Sequence, residues 1–64
     1  MTERTRHVWV HVAFLPRECP GLVLEWRRRD GGGWEALVTY WREDESRALT
    51  DVVPAENLRP VREG

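Results

Sequence analysis

Aromatic side chains flank one glycine-rich turn near the middle of this 64-residue chain. Trp26 precedes the turn, and Trp34, Tyr40 and Trp41 follow it. Aromatic faces bind cations, nucleobases and proline rings, so these residues are candidate ligand-binding or partner-binding residues. The alternative is that the rings pack the hairpin and supply the buried area of a small domain. We expect packing against the core for Trp26 and Trp34, while the sequence leaves the surface and the interior open for Trp41.

Three consecutive arginines, Arg27, Arg28 and Arg29, adjoin the same turn. With tryptophans beside them as stacking faces, they are candidate phosphate contacts. Asp30 and Glu35 lie close in sequence and would offset much of this positive potential, which favours the alternative of a solvated hairpin tip. The formal net charge of −1 provides no global field that would concentrate the chain on nucleic acid or on an acidic membrane.

The histidines and the cysteine do not form a catalytic or metal-binding pattern. On a strand that rises ~3.3 Å per residue, His7 and His11 are ~13 Å apart, too far to share one ion. Cys19 is the only cysteine, so it cannot form an internal disulfide, and no histidine is near it in sequence. We expect a structural thiol in a turn between two prolines. No catalytic residue, metal or cofactor is predicted.

Residues 7–15, HVWVHVAFL, alternate in the manner of a strand with one buried face. The predicted core face carries Val8, Val10, Val12 and Phe14, and the outward face carries His7, Trp9, His11 and Ala13. An outward tryptophan between two histidines indicates a contact surface, unless a neighbouring loop covers it.

Further strands are predicted at residues 21–29 and 34–42, joined by the turn DGGG, in which glycine supplies positive φ. On the second of these strands, Trp34, Ala36, Val38 and Tyr40 share one face, and Glu35, Leu37, Thr39 and Trp41 share the other. Apolar residues on both faces favour a strand of a bent barrel over a strand of a flat sheet.

The chain ends in a short strand at 48–53, one helical turn at 54–57 and a last strand at 58–61. Pro60 restricts that last strand to an edge. We expect a disordered tail at 1–6 and a single domain at 7–62. No run approaches the ~18 apolar residues of a membrane span, and we expect a cytoplasmic protein.

The ending VVPAENLRPV, at residues 52–61, resembles the close of SH3-like barrels, in which a strand runs into proline, one 3₁₀ turn and a short closing strand. GLVLEW and GGWEALVTYW resemble the Tudor and agenet branch, where Trp34, Ala36 and Val38 match an aromatic-x-Ala-x-Val pattern. The resemblance implies an all-β, five-stranded SH3-like barrel with one short 3₁₀ turn before the last strand. It also implies candidate walls for an aromatic cage, namely Trp9, Trp26, Trp34, Tyr40 and Trp41.

The function expected from these observations is a non-catalytic interaction module that binds a protein segment or self-associates into a homo-oligomer through an aromatic surface. A nucleic-acid-binding small barrel is the alternative. A third hypothesis is an oligomeric pore-type reductase, because WEALVTYW resembles the centre of plasmid-borne dihydrofolate reductases. The pore motif of that family, Val-Gln-Ile-Tyr, is absent, and TDVV stands at Thr50–Val53.

Overall fold

Five β-strands and one 3₁₀ turn make up the computed structural model, which describes residues 6–61. The elements are β1 (His7–Val10), β2 (Cys19–Arg28), β3 (Trp34–Arg42), β4 (Arg47–Pro54), the 3₁₀ turn (Ala55–Asn57) and β5 (Leu58–Pro60). They form a single antiparallel sheet in the order β4-β3-β2-β1-β5. The predicted all-β chain with a 3₁₀ turn before the last strand is confirmed. Residues 1–5 of the predicted tail and residue 62 lie outside the described residues.

The sheet is not closed into a barrel, which corrects the expectation of a closed structure. Within residues 6–61, β4 and β5 are its two edges, and no ladder joins them. The buried side chains nevertheless come almost entirely from this one sheet: Val8, Val10, Cys19, Val23, Ala36, Val38, Tyr40 and Val53. Because a flat sheet would expose this inner face to water, the sheet must curl over its own core.

The β2–β3 hairpin contains the irregularity that accompanies this curvature. The register shifts between Val23 and Glu25, so that Leu24 is an extra residue and is 52% exposed. Such bulges bend a strand and increase its twist. Beyond the bulge, Trp26 lies opposite Ala36, which is fully buried, and Trp26 packs against the core as predicted.

The first strand is shorter than predicted, because it ends at Val10 instead of extending to residue 15. Its neighbour β5 pairs only with Val8–Val10, and beyond that point the backbone leaves the sheet in a turn in which the Leu15 N–H donates to the Val12 carbonyl. Phe14 is therefore outside the alternation. It is 72% exposed, and the prediction that it faces the core is wrong.

The second strand begins earlier than predicted, at Cys19, so Cys19 is a buried strand residue and does not lie in a turn. Pro20 is thus part of β2. The Val23 N–H donates to Arg6 on the β1 side, so by alternation the nitrogen of Pro20 faces β3 and its pair with Trp9 loses no hydrogen bond. Pro20 is tolerated because the described pairing of β2 with β3 starts only at Gly21.

Gly21 sits where three core side chains approach the β2 backbone. A Cβ atom built on this residue would lie 3.0 Å from Val10 Cγ2 and 3.1 Å from both Tyr40 Cβ and Val38 Cγ1. These contacts are tighter than ordinary van der Waals packing, so any side chain at this position overpacks the core.

We therefore expect Gly21→Ala to lower the free energy of unfolding by about 1–3 kcal/mol, as overpacking typically does. Urea denaturation followed by tryptophan fluorescence measures it. Glu25→Ala, at an exposed position of the same strand, is the control and should change stability by less than ~0.5 kcal/mol. Equal effects of the two substitutions would contradict the close approach at Gly21.

Candidate interaction surface

The face of the sheet that points away from the core carries a transverse row of large side chains. Trp41 on β3 is paired with Ala48 on β4, and Trp9 on β1 is paired with Pro20 on β2 and with Arg59 on β5. Residues directly opposite each other in antiparallel strands share a face. Trp9 and Trp41 therefore lie on the same outer face, ~10 Å apart across β2, with Pro20 between them.

A second row lies beside the first and contains Thr50, Thr39, Leu22 and His7 in successive strands. Leu22 is 37% exposed, and Trp41 is 45% exposed. We call the outer-face residues Trp9, Pro20, Leu22 and Trp41 the tryptophan surface. Pro20 was not among the predicted site residues, because the pattern PRECPG indicated a turn and not a strand.

Two concavities meet at Trp41 and Pro20. The larger is a groove of about 450 Å³, and the other is a shallow recess of about 330 Å³. The groove is lined by Leu15, Pro16, Arg17, Glu18, Cys19, Pro20, Trp41, Glu43 and Asp44. The recess adds Leu22, Thr39 and Ala48. A volume of this size accommodates a few side chains of a ligand, which is the scale of small binding sites in proteins.

Ion pairs fix two walls of the groove. Arg59 on β5 donates two hydrogen bonds to the Glu18 carboxylate, of which the Nε bond is 3.3 Å long. The hydrogen bond from Arg59 lowers the pKa of Glu18 below its ordinary value, with burial opposing the shift. On the other wall, Asp44 accepts hydrogen bonds of 2.8 and 2.6 Å from Nε and Nη2 of Arg42.

Arg42 is a buried charge, only 6% exposed at the end of β3. Besides Asp44, Glu45 lies 3.3 Å from its guanidinium, and the Phe14 ring covers the guanidinium at 5.0 Å. The hydrogen bond to Asp44 raises the pKa of Arg42 and lowers the pKa of Asp44. Phe14 therefore covers the buried guanidinium of an ion pair whose carboxylates face solvent, and this role was missed because the alternation of residues 7–15 suggested a core position.

The five predicted aromatic residues do not come together. Trp9 is half-buried and Trp41 exposed on the outer face, whereas Trp26 belongs to the inner face and Tyr40 is 8% exposed within the core. Trp34, expected to pack on the core, is 47% exposed, because it stands at the tip of the hairpin, beyond the reach of the other strands. An aromatic cage built from all five residues is therefore excluded by their placement.

The three candidate phosphate contacts also have separate surroundings. Arg28 lies opposite Trp34, with its guanidinium 5.5 Å from the centre of the indole ring. Arg29 is bonded to Glu56 of the 3₁₀ turn at 3.1 Å, and Arg27 lies opposite Glu35. Carboxylates thus adjoin two of the three arginines, in agreement with the expected offset of their positive potential.

Within residues 6–61, no group of three or more His, Cys, Asp and Glu side chains is placed to hold a metal ion. Burial raises the pKa of the Cys19 thiol, which makes the thiolate less accessible at neutral pH. None of the helical segments in the described part of the chain has the length and apolarity that a membrane crossing requires.

Comparison of the chain with protein-family models, with curated proteins and with solved structures found no match.

The ion pairs of the groove predict a pH dependence of stability. The pKa values of Glu18 and Asp44 are lowered in the folded chain, so their contribution is complete above pH ~4.5, the ordinary value for glutamate, and disappears as the pH falls through the folded values. We expect the urea midpoint to fall on acidification below this pH, and to fall less steeply in Asp44→Asn.

Asp30→Asn is the matched control, since Asp30 is exposed and has no ion pair within the described residues. It should keep the pH dependence of the unsubstituted chain. An Asp44→Asn variant with unchanged acid dependence would show that the Arg42 pair contributes nothing to stability.

Proposed function

We propose that this chain is a non-catalytic interaction module that binds a short protein segment on its tryptophan surface. The observation that carries the proposal is the position of Trp41, which is 45% exposed and forms a shared wall of the groove and the recess with Pro20. A large indole beside proline and leucine on a sheet face is an apolar patch of the kind that a partner covers.

The lining of the groove indicates the chemistry of the partner. Leu15, Pro16 and Trp41 offer apolar contact, while Glu43 is a carboxylate without an ion pair among residues 6–61. An aromatic face next to a carboxylate suits a cationic side chain. We infer a segment in which an apolar residue adjoins an arginine or a lysine.

An SH3-like fold of the Tudor and agenet type, with an open sheet in place of a closed barrel, is part of the same proposal. Its support is the aromatic-x-Ala-x-Val pattern at Trp34, Ala36 and Val38, and the 3₁₀ turn that follows Pro54. Folds of this kind serve many functions, so the site and not the fold identifies the binding role.

The nucleic-acid alternative depends on Arg27, Arg28 and Arg29. Binding of phosphate there competes with the Arg29–Glu56 ion pair, and stacking of a base on Trp34 competes with the Arg28 guanidinium. A protein segment on the outer face requires neither change. We therefore favour the protein segment and keep the oligonucleotide as an arm of the test.

Two tryptophans of nearly equal exposure provide a matched pair of variants, because Trp41 is 45% and Trp34 is 47% exposed. Peptides are selected on the unsubstituted chain from a random display library and measured by calorimetry. We expect Trp41→Ala to weaken their binding roughly thirtyfold, as truncation of a central aromatic contact does, and Trp34→Ala to change it less than about twofold.

The proposal is overturned if selection yields no peptide, or if both substitutions weaken binding equally. A mixed-sequence oligonucleotide is titrated in parallel at low salt. Binding that weakens steeply with added salt and is lost in Arg28→Ala would support the nucleic-acid alternative instead.

A further inference from the structure

The two edges of the sheet differ in the backbone groups that they offer to another strand. At the β5 edge, Arg59 pairs with Trp9, and the Val61 N–H donates to the His7 carbonyl. Because backbone groups alternate in direction along the strand, those of Leu58 and Pro60 point away from β1, towards the free edge. The Leu58 N–H already donates to the Ala55 carbonyl, and proline has no N–H. Within residues 6–61, this edge therefore has no free donor in its strand.

The β4 edge is longer and retains donors. The Val52 N–H donates to the Asp51 side chain at 3.0 Å, which indicates that it is outside the ladder with β3. Since backbone groups alternate in direction along an antiparallel strand, the N–H groups of Ala48 and Thr50 point to the same free edge. No hydrogen bond from these two groups to a residue outside the sheet occurs in the described part of the chain. A strand with such an edge is a template for pairing.

We propose that a second copy of this chain pairs with β4 along this edge, antiparallel, with Thr50 of both copies on a two-fold axis. In this register Ala48 lies opposite Val52 of the second copy, and each pair of edge-facing residues exchanges two backbone hydrogen bonds. Pro54, which ends β4, falls outside the paired segment 47–53.

The side chains of β4 favour its own sequence as the partner. On the outer face, Thr39 is paired with Thr50, so the four positions nearest the axis in the central row of the dimer are threonines, a favourable cross-strand combination. In the next row, Val52, which is 41% exposed, comes beside Ala48 of the second copy. Because Ala48 is small, Trp41 behind it can approach that valine.

Charge is also complementary in this register. Arg47 and Asp51 lie on the inner side of β4, paired with Arg42 and Val38. Arg47 then lies opposite Val53 of the second copy and diagonal to its Asp51, a separation that an arginine spans. Arg47 already donates to Glu45 of its own copy at 2.9 Å, and its guanidinium has further N–H groups with which to bond that Asp51. The two-fold axis repeats this attraction. On pairing, Val52 exchanges its Asp51 acceptor for a backbone carbonyl, which leaves Asp51 available to the arginine.

Sedimentation equilibrium of the full chain tests the dimer. The dimer proposal is independent of the peptide-binding function proposed above. We expect a concentration-dependent dimer. Thr50→Lys alone and Thr50→Glu alone each place like charges opposite each other at the axis and should weaken the dimer by roughly fivefold, whereas mixing the two variants should restore it. Thr50→Pro removes both central donors and should weaken it roughly thirtyfold.

Thr39→Lys is the control, because it puts the same charge on the neighbouring strand, ~14 Å from its counterpart across the proposed axis, where salt screens it. It should leave the dimer intact while it perturbs the recess beside Trp41. A chain that stays monomeric at millimolar concentration overturns the proposal. If Thr39→Lys disrupts the dimer and the Thr50 variants do not, the edge pairing is overturned, and the contact lies on the outer face instead. If Thr50→Pro fails to fold, judged by circular dichroism, the mixing experiment decides alone.

Discussion

The close approach of strands at small residues is the constraint on which the rest of this structure depends. One sheet must supply the whole core, and it does so only by curling over its own inner face. Two small residues allow that curvature. Val10, Val38 and Tyr40 approach Gly21 more closely than a Cβ atom would permit, and Ala36 is fully buried opposite Trp26. Larger residues at these two positions would hold the strands apart and expose the valines that now form the core.

A sheet that buries its inner face by curvature leaves its outer face without a covering layer. A sheet face in contact with water ordinarily carries polar side chains, and Thr39 and Thr50 fit this pattern. Trp41, Leu22 and Pro20 depart from this pattern and leave apolar surface exposed on the outer face. Their exposure is therefore a feature that folding alone does not explain, and this is the physical reason for proposing a binding role for the tryptophan surface.

Local pattern was sufficient to predict much of the fold. The bounds of β3 at residues 34–42, the glycine turn and the 3₁₀ turn after Pro54 follow from alternation and from turn chemistry. The errors arose where a tertiary neighbour decides. Phe14 continues the alternation of β1, but β5 is too short to pair with it, and Trp34 extends past the core at the hairpin tip. The number of residues over which two distant strands pair cannot be read from the local sequence of either strand.

The candidate site was predictable in part for the same reason. Trp9 was expected to point away from the core because of strand alternation, whereas for Trp41 the alternation gave only the face opposite Trp34 and Tyr40 and left surface and interior open. The structure places both tryptophans on the outer face. Pro20 could not be assigned to that surface without knowing that β2 begins at Cys19. Nor could Arg42 be assigned as a buried charge, since its burial depends on Phe14, which is distant in sequence, and on the way the turn after β3 brings Asp44 back to it.

The sheet stays open for a chemical reason that lies in its last segment, the 3₁₀ turn and β5. Closing it into a barrel would pair β4 with β5, and such a ladder needs donors from both strands. The 3₁₀ turn uses the Leu58 N–H internally, and Pro60 provides none, so β5 has carbonyls but no strand donor to offer. The same two residues that end the sheet at β5 thus leave the N–H groups of Ala48, Thr50 and Val52 without a partner strand within residues 6–61. In this chain an open sheet and an available edge are consequences of one short sequence, NLRP.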